Sequence, residues 1–443
     1  MNKYITIIGG GLAGSETAYQ IAKRGIDVKL YEAKPKYFSP AHKNENLAEI
    51  VCSNSLKSNM VTSACGLLKQ ELRILDSLLI KIAEETAVPA GQALAVDRDR
   101  FSKLVTKRLN ELSDNDGYGT IEIIREEITN IEDLVKKGIV IIATGPLTSN
   151  ALAENIKKIT GEQELYFYDA AAPIIEKDSI DFNIAFMADR YGKGDSSYIN
   201  LPMNKEEYEV FYNELVNAGV VELKNFEKKE IFESCMPVEV MGKRGIDTLR
   251  FGPLKPVGFV DPRTDKRPYA IVQLRQDNEE GTLYNMVGFQ TNLKFGEQKR
   301  VFSLIPGLAN AEFMKYGVMH RNTYINSSKL LDATYNLKSN NSIYFAGQIS
   351  GVEGYVESIA SGLIAAINAT KQLKNDKKIV FSEKTMLGAI SKYISTENEK
   401  FQPMNANFGI LPQLEEKIKD KKIKYQKLAD IAIEQILLES RIV

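Results

Sequence analysis

The segment that most restricts the fold lies at the start of the chain. Lys3-Tyr4-Ile5-Thr6-Ile7-Ile8 reads as a short buried strand. It runs into Gly9-Gly10-Gly11-Leu12-Ala13-Gly14 and then into a helical stretch, Ser15–Ala22. A second apolar run, Val28–Tyr31, ends on Glu32. A strand, a G-x-G-x-x-G turn, a helix, a strand and an acid in this order are what a dinucleotide needs. Gly9 permits the tight turn, Gly11 lets the backbone approach a pyrophosphate, and Gly14 lets the helix pack on the strand. The helix start, Gly10 to Ala13, offers unpaired N–H groups and a positive dipole end, and Glu32 stands where a ribose-binding carboxylate belongs. The competing reading is a Gly-rich turn in some other α/β unit, which gives the acid no task.

Two later segments repeat the theme. Gly138–Ala143 is a β-branched strand ending in Thr144-Gly145-Pro146, where glycine lets the backbone pass close to a ligand. Ser342–Ala346 is a strand followed by Gly347-Gln348, Gly354-Tyr355 and a helix from Val356. A late helix N-terminus of this kind stabilises negative charge on a reduced flavin. FAD is therefore expected as the tightly held cofactor, ahead of NAD. The fold class expected is α/β: a Rossmann-like FAD-binding domain of the glutathione-reductase type, interrupted by a mixed α/β insertion. Residues 1–180 form its first part, 181–325 the insertion on the substrate or nicotinamide side, and 326–443 its second part with a C-terminal helical region. Residues 66–86 have helical periodicity, Ile121–Ile124 reads as a strand and Lys205–Ala218 as a helix. The basic run Lys417–Lys424 reads as a solvated helix face, with contact to a phosphate backbone as the alternative.

Composition narrows the function. A net charge of −1 excludes a uniformly basic nucleic-acid coat but leaves room for a local basic groove. No apolar run is long enough to cross a membrane, and the chain starts directly on its strand with no targeting segment. Three cysteines make no disulfide framework, which favours a reducing compartment and so the cytoplasm. The two histidines, His42 and His320, exclude a site built from several imidazoles, and without a C-x-x-C no metal is expected. Cys65 reads as helix filler. Cys52 sits at the edge of a helical region, and Cys235, ahead of Pro237, on a loop or strand end. A lone cysteine is most often a small buried hydrophobe, so the residues alone leave these roles open.

Longer strings carry a resemblance. They are Gly9–Gly14, Cys52-Ser53-Asn54-Ser55-Leu56, Ala93–Arg98, Asp169–Pro173, Arg190–Asp195, Cys235–Met241, Phe251–Gly258, Tyr316–Tyr324, Ala346–Ser358 and Phe401–Gly409. Together they span nearly the whole chain, which resembles the TrmFO family of folate- and FAD-dependent RNA (uracil-5-)-methyltransferases, relatives of the GidA/MnmG flavoproteins. It departs from that family's pattern at Gln92, Leu201 and Cys65, where glycine, cysteine and an aliphatic residue are expected.

The resemblance implies an enzyme that methylates a uridine at C5 in structured RNA. Methylenetetrahydrofolate is the carbon donor, and NAD(P)H reduces the FAD. A thiolate adding at C6 makes C5 nucleophilic, and cysteine is the side chain able to do so near neutral pH. Cys235 matches the family's nucleophile. Cys52 matches its second functional cysteine, which removes the C5 proton or protects the carried carbon. His320 with Arg321, and Tyr355, are candidates for the folate. Lys193 and Arg244 are candidates for RNA phosphates, and Asp97-Arg98 for an internal ion pair or a substrate contact. The T-loop uridine of tRNA is the expected target and no obligate protein partner is implied. A uridine of large-subunit ribosomal RNA is the alternative, and a plain NAD(P)H–flavin oxidoreductase or a non-catalytic RNA-binding flavoprotein the readings from other classes.

Overall fold

The computed structural model describes residues 4–39, 41–112, 116–161, 165–192, 197–221, 236–317, 319–399 and 401–443, with the backbone alone for 165–170 and 319–321. The strands are β1 (Tyr4–Ile8), β2 (Asp27–Tyr31), β3 (Ser55–Ser58), β4 (Ala87–Val88), β5 (Ala93–Val96), β6 (Ile121–Ile124), β7 (Val140–Ile142), β8 (Leu165–Ala170) and β9 (Ile174–Glu176). They continue as β10 (Phe186–Met187), β11 (Tyr198–Met203), β12 (Ala270–Gln276), β13 (Leu283–Met286), β14 (Phe313–Lys315), β15 (Met319–Tyr324), β16 (Asn336–Leu337) and β17 (Asn340–Phe345).

One sheet runs β16-β17-β7-β1-β2-β6. Every pair in it is parallel except β16 with β17. Its central strands β7 and β1 are apolar but for the buried Thr6, as a sheet covered on both faces favours: Ile5, Ile7, Val140, Ile141 and Phe345 are fully buried. The second sheet, β10-β11-β12-β13-β9-β14, is antiparallel and holds a core of its own around Tyr208, Phe211, Phe289 and Phe302. It takes β9 from ahead of residue 181. A ribbon of β8 and β15 and a small sheet β3-β5-β4 complete the strands.

The helix α1 (Leu12–Ala22) connects β1 to β2 and packs on a long C-terminal helix, Tyr355–Leu373. The two backbones come close because Gly362 has no side chain: a Cβ there would stand 2.4 Å from the Ala13 carbonyl oxygen. Residues 66–86 form two helices, α2 (Ala64–Ile74) and α3 (Leu78–Glu85), where the periodicity suggested one stretch. Asp76 adopts φ 61° between them, and the Ser77 hydroxyl accepts from the Ile80 N–H to start α3. A further helix, α4 (Arg98–Asn110), is capped by Asp97. The Lys205–Ala218 expectation holds as α5 (Lys205–Asn217), with a capping box between Asn204 and Glu207. The Tyr355–Leu373 helix is α6, and α7 (Met386–Ser395) and α8 (Lys421–Glu439) follow it. Buried carboxylates staple these helices: both oxygens of Glu71 accept from the first N–H groups of α7, Met386 at 2.6 Å and Leu387 at 2.8 Å. Among the described residues no helix is long and apolar enough to cross a membrane.

Candidate active site

The turn after β1 is fixed by what cannot fit there. Gly9 has φ +99°, and a Cβ on it would lie 2.6 Å from the Ala143 carbonyl oxygen. A Cβ on Gly14 would fall 1.8 Å from the Gly9 carbonyl oxygen, so the helix can approach the strand only without one. Gly11 differs: nothing lies within 4 Å of the Cβ position, which opens onto a cavity. The first intrahelical bond of α1 is Ser15 N–H to Gly11 O at 2.9 Å, so the N–H groups of Leu12, Ala13 and Gly14 have no intrahelical partner. Leu12 and Ala13 line the same space.

Glu32 follows β2 and is 7% exposed. Its carboxylate accepts from the Gly10 N–H at 2.8 Å and the Lys34 N–H at 2.9 Å, which aims it at the cavity with lone pairs to spare. The cavity, about 450 Å³, runs on past Thr144 and Gly145, then Gly347 and Gln348, to Gly354, Tyr355 and Cys52. Its volume suits a large organic ligand. In its wall, Glu357 of α6 accepts the Ala406 N–H on Oε1 at 2.9 Å, while its buried Oε2 has no partner among the described residues. A cradle that one methyl group would fill, a carboxylate at ribose distance and an orphaned buried acceptor all fit a dinucleotide rich in hydroxyl donors.

The far end is built around Cys52. The thiol lies in an irregular, bent segment ahead of β3, not at the edge of a helix, and four distant groups anchor that segment. The Tyr355 hydroxyl oxygen accepts from the Cys52 N–H at 3.0 Å and the Ser53 N–H at 3.1 Å. Arg98 donates to the Cys52 carbonyl at 3.2 Å. Arg275 of β12 donates to Ser53 Oγ at 2.8 Å and Asn54 Oδ1 at 3.0 Å. Lys315, at the end of β14, donates to the Val51 carbonyl at 3.3 Å. Asn54 ties the segment to the small sheet through Val96 O and to β12 through Gln276 O. The Asp97-Arg98 expectation resolves into separate partners. Arg98 pairs with Asp277 at 2.9 Å, both largely buried, whereas Asp97 caps α4 through the Arg100 N–H. Burial raises the Tyr355 hydroxyl far above its ordinary value, which keeps it a neutral acceptor.

Gly9, Gly10, Gly11, Leu12, Ala13, Glu32, Thr144, Gly145, Gly347, Gln348, Gly354, Tyr355 and Cys52 thus border one cavity, with Gly14 directly behind the turn. Gln348 is held by a hydrogen bond to Glu353. Tyr355 spends its hydroxyl on the Cys52 backbone. His320 and Arg321 lie on β15, opposite Asp169 and Tyr168 of β8. Arg244 is exposed and does not line the cavity. Arg190 donates to the Lys255 and Val257 carbonyls and stacks on Phe259, so it serves the fold. Cys235 and Lys193 lie outside the described residues. Arg275 and Lys315 carry no motif that marks them, and Asn54 and Glu357 lie within the resemblance strings without a feature that singles them out. Cys65 is more than helix filler: it borders the cavity, and the fully buried Lys69 ammonium donates to its sulfur at 3.5 Å and to Leu56 O at 2.7 Å.

The sequence pattern of the family described as glucose inhibited division protein A matches residues 4–377. Among curated relatives, methylenetetrahydrofolate–tRNA-(uracil-5-)-methyltransferase TrmFO of Acetivibrio thermocellus is 60% identical over 423 residues, covering 95% of each chain. The protein of the same name from Fusobacterium nucleatum subsp. nucleatum is 58% identical over 436 residues, covering 98% of each. The solved structure of Aquifex aeolicus GidA (form II crystal) superposes with a TM-score of 0.71 at 15% identity, covering 99% of this chain and 73% of that one, which establishes a common fold. On this sequence and this architecture, the chain belongs to the glucose inhibited division protein A family and, within it, to the TrmFO family.

Proposed function

We propose that this protein is the methylenetetrahydrofolate- and FAD-dependent enzyme that forms 5-methyluridine in tRNA, with NAD(P)H as reductant. The observation that carries the reading is the single cavity that joins a dinucleotide turn to a thiol held in place by its backbone. High identity over almost the full chain to relatives named for this reaction supports it. Gly9–Gly14 and the start of α1 would hold the pyrophosphate of FAD. Glu32 would take the ribose hydroxyls, and Thr144, Gly145, Gly347, Gln348 and Gly354 would flank the rest. When bound, FAD supplies a redox centre that accepts reducing equivalents from NAD(P)H and serves the one-carbon transfer.

The protein's own part is to activate the base. The target uridine must leave its stack to reach the cavity. The Cys235 thiolate would add to C6, and the C5–C6 π electrons would form the bond from C5 to the one-carbon unit that methylenetetrahydrofolate supplies. The C5 proton would then pass to the Cys52 thiolate, the C5–H electrons would re-form the double bond as Cys235 leaves, and a hydride equivalent drawn from NAD(P)H would complete the methyl group. Cys52 is suited to this because its main chain is anchored on both the N–H and the carbonyl side. His320 and Arg321 are proposed to meet the folate, and Lys193 and Arg244 the RNA. The segments 1–180 and 326–443 would carry the cofactor and 181–325 the substrate side. A chain that uses reduced thiols and tRNA belongs in the cytoplasm.

The test offers purified protein labelled methylenetetrahydrofolate and NAD(P)H with unmodified tRNA or large-subunit ribosomal RNA, beside a Cys235→Ala variant. Label in tRNA that the variant loses is the expected result. Label in ribosomal RNA moves the target. No label in either, with NAD(P)H still oxidised, overturns the reading in favour of a plain oxidoreductase.

A further inference from the structure

Among the described residues, Lys315 is a cation beside the Cys52 segment that no carboxylate holds. Arg98 is neutralised by Asp277, and Arg275 is spent on Ser53 and Asn54. Lys315 comes from β14, an edge strand of the second sheet, and reaches across to the cavity end of the first. Among the described residues no carboxylate pairs with it, and its hydrogen bond to Val51 O leaves ammonium donors over. A partly buried ammonium without a counter-ion is costly and marks a place where a negative charge is meant to form.

We propose that Lys315 is a positioning residue that holds Cys52 as a thiolate, its ammonium serving as counter-ion to the sulfur next to the carbonyl it grips. This rests on the proposed role of Cys52. The proton leaves the thiol for solvent, and the charge created is balanced by one already in place. Among the described residues, Tyr355 from α6 and Arg98 from α4 hold the Cys52 backbone, and Arg98, Lys43 and Asp277 at the end of β12 act on Lys315. Asp277 opposes the effect but is engaged by Arg98. Burial, with Arg98 and Lys43 nearby, pulls the Lys315 ammonium down to about 8. The charge is thus present at neutral pH, and forming the thiolate beside it draws its proton affinity back up.

The experiment follows alkylation of Cys52 by iodoacetamide from pH 5.5 to 9.5, read by peptide mass spectrometry in the wild type and in Lys315→Met and Lys315→Arg. Cys65 is an internal control, since burial pushes its thiol up to about 11. The wild-type midpoint should lie below the usual thiol value of about 8.5. Lys315→Met should raise it by about one pH unit, roughly a tenfold loss of reactivity at low pH, and Lys315→Arg should restore it. A change in access alone would alter the rate at every pH and leave the midpoint in place. An unchanged midpoint in Lys315→Met, or an equal rise in Lys315→Arg, overturns the proposal. If instead Lys315→Met raises the KM for the folate with the midpoint unmoved, Lys315 binds substrate and the proposal also fails. The assay reads thiol charge whether or not methyl transfer needs Cys52. Methyl transfer by Cys52→Ala tests that role separately.

Discussion

At the glycine-turn end of the cavity, the lining groups come from one short stretch, Gly9 to Ala13, with Glu32 a strand away. At the thiol end, Cys52 is fixed by Arg98, 46 positions on, and by Tyr355, 303 positions on. Its neighbours Ser53 and Asn54 are held by Arg275, more than 200 positions on. The first end is built by shape: glycines leave room, and the N–H groups at the start of α1 have no intrahelical partner. The second works through side chains borrowed from several elements, two of them buried cations. A local turn can be damaged by one methyl group, whereas a distributed clamp yields piece by piece, and the two ends should fail differently.

The sharpest break is at the turn itself. Gly14→Ala puts a carbon 1.8 Å from a carbonyl oxygen that cannot retreat without dismantling β1. It should cost more than about 5 kcal/mol, with folded protein largely lost in thermal denaturation. Gly11→Ala has open space around it, so the melting temperature without cofactor should be unchanged while flavin affinity falls at least about tenfold. An equal affinity would mean that no phosphate sits in that cradle.

Next comes the clamp's buried ion pair. Asp277→Ala strands Arg98 without its counter-ion and should cost about 3–5 kcal/mol by chemical denaturation, with Arg98→Met/Asp277→Leu recovering much of it. Equal losses in the single and double variants would show that the pair itself, not the stranded charge, carries the stability. Tyr355→Phe removes the shared acceptor of two N–H groups and should cost about 1–3 kcal/mol. Flavin content should hold while methyl transfer drops. If methyl transfer survives, the clamp does not position the thiol for chemistry.

The smallest effect lies away from both ends, in the staple beneath them. Burial pushes the Glu71 carboxyl up to about 8, against the pull of two N–H groups. The folded state therefore binds this proton more tightly than the unfolded chain. The contribution is complete below about pH 4.5 and is lost as pH rises through about 8. Glu71→Gln should flatten the fall in melting temperature over that window, and a slope equal to wild type would place the titration elsewhere.

The contrast between the two ends also explains what could be read in advance. The turn was legible because its requirements are local. Gly9, Gly14 and Glu32 answer to neighbours in the same βαβ unit, and the strand over Ile121–Ile124 shows plainly in its apolar run. The helical periodicity of residues 66–86 holds, but periodicity cannot see that Asp76 turns left-handed and Ser77 starts a new helix. Cys52 reads from the sequence as the edge of a helical region. It lies instead in an irregular bend, where Tyr355 and Arg98 take its backbone hydrogen bonds and Arg275 holds Ser53 and Asn54 beside it. Arg98 looked like the partner of Asp97 beside it and instead pairs with Asp277.

The amino-acid sequence by itself determined the glycine turn, the parallel sheet around it and, through its long matching strings, the family. Glycine spacing and strand periodicity act over a few residues, where the chain's geometry leaves little choice. Only the tertiary structure decided what surrounds Cys52 and that Lys315 reaches the carbonyl beside it. Those contacts form between side chains whose positions depend on how β12, β14 and α6 come together, and packing, not spacing along the chain, sets that.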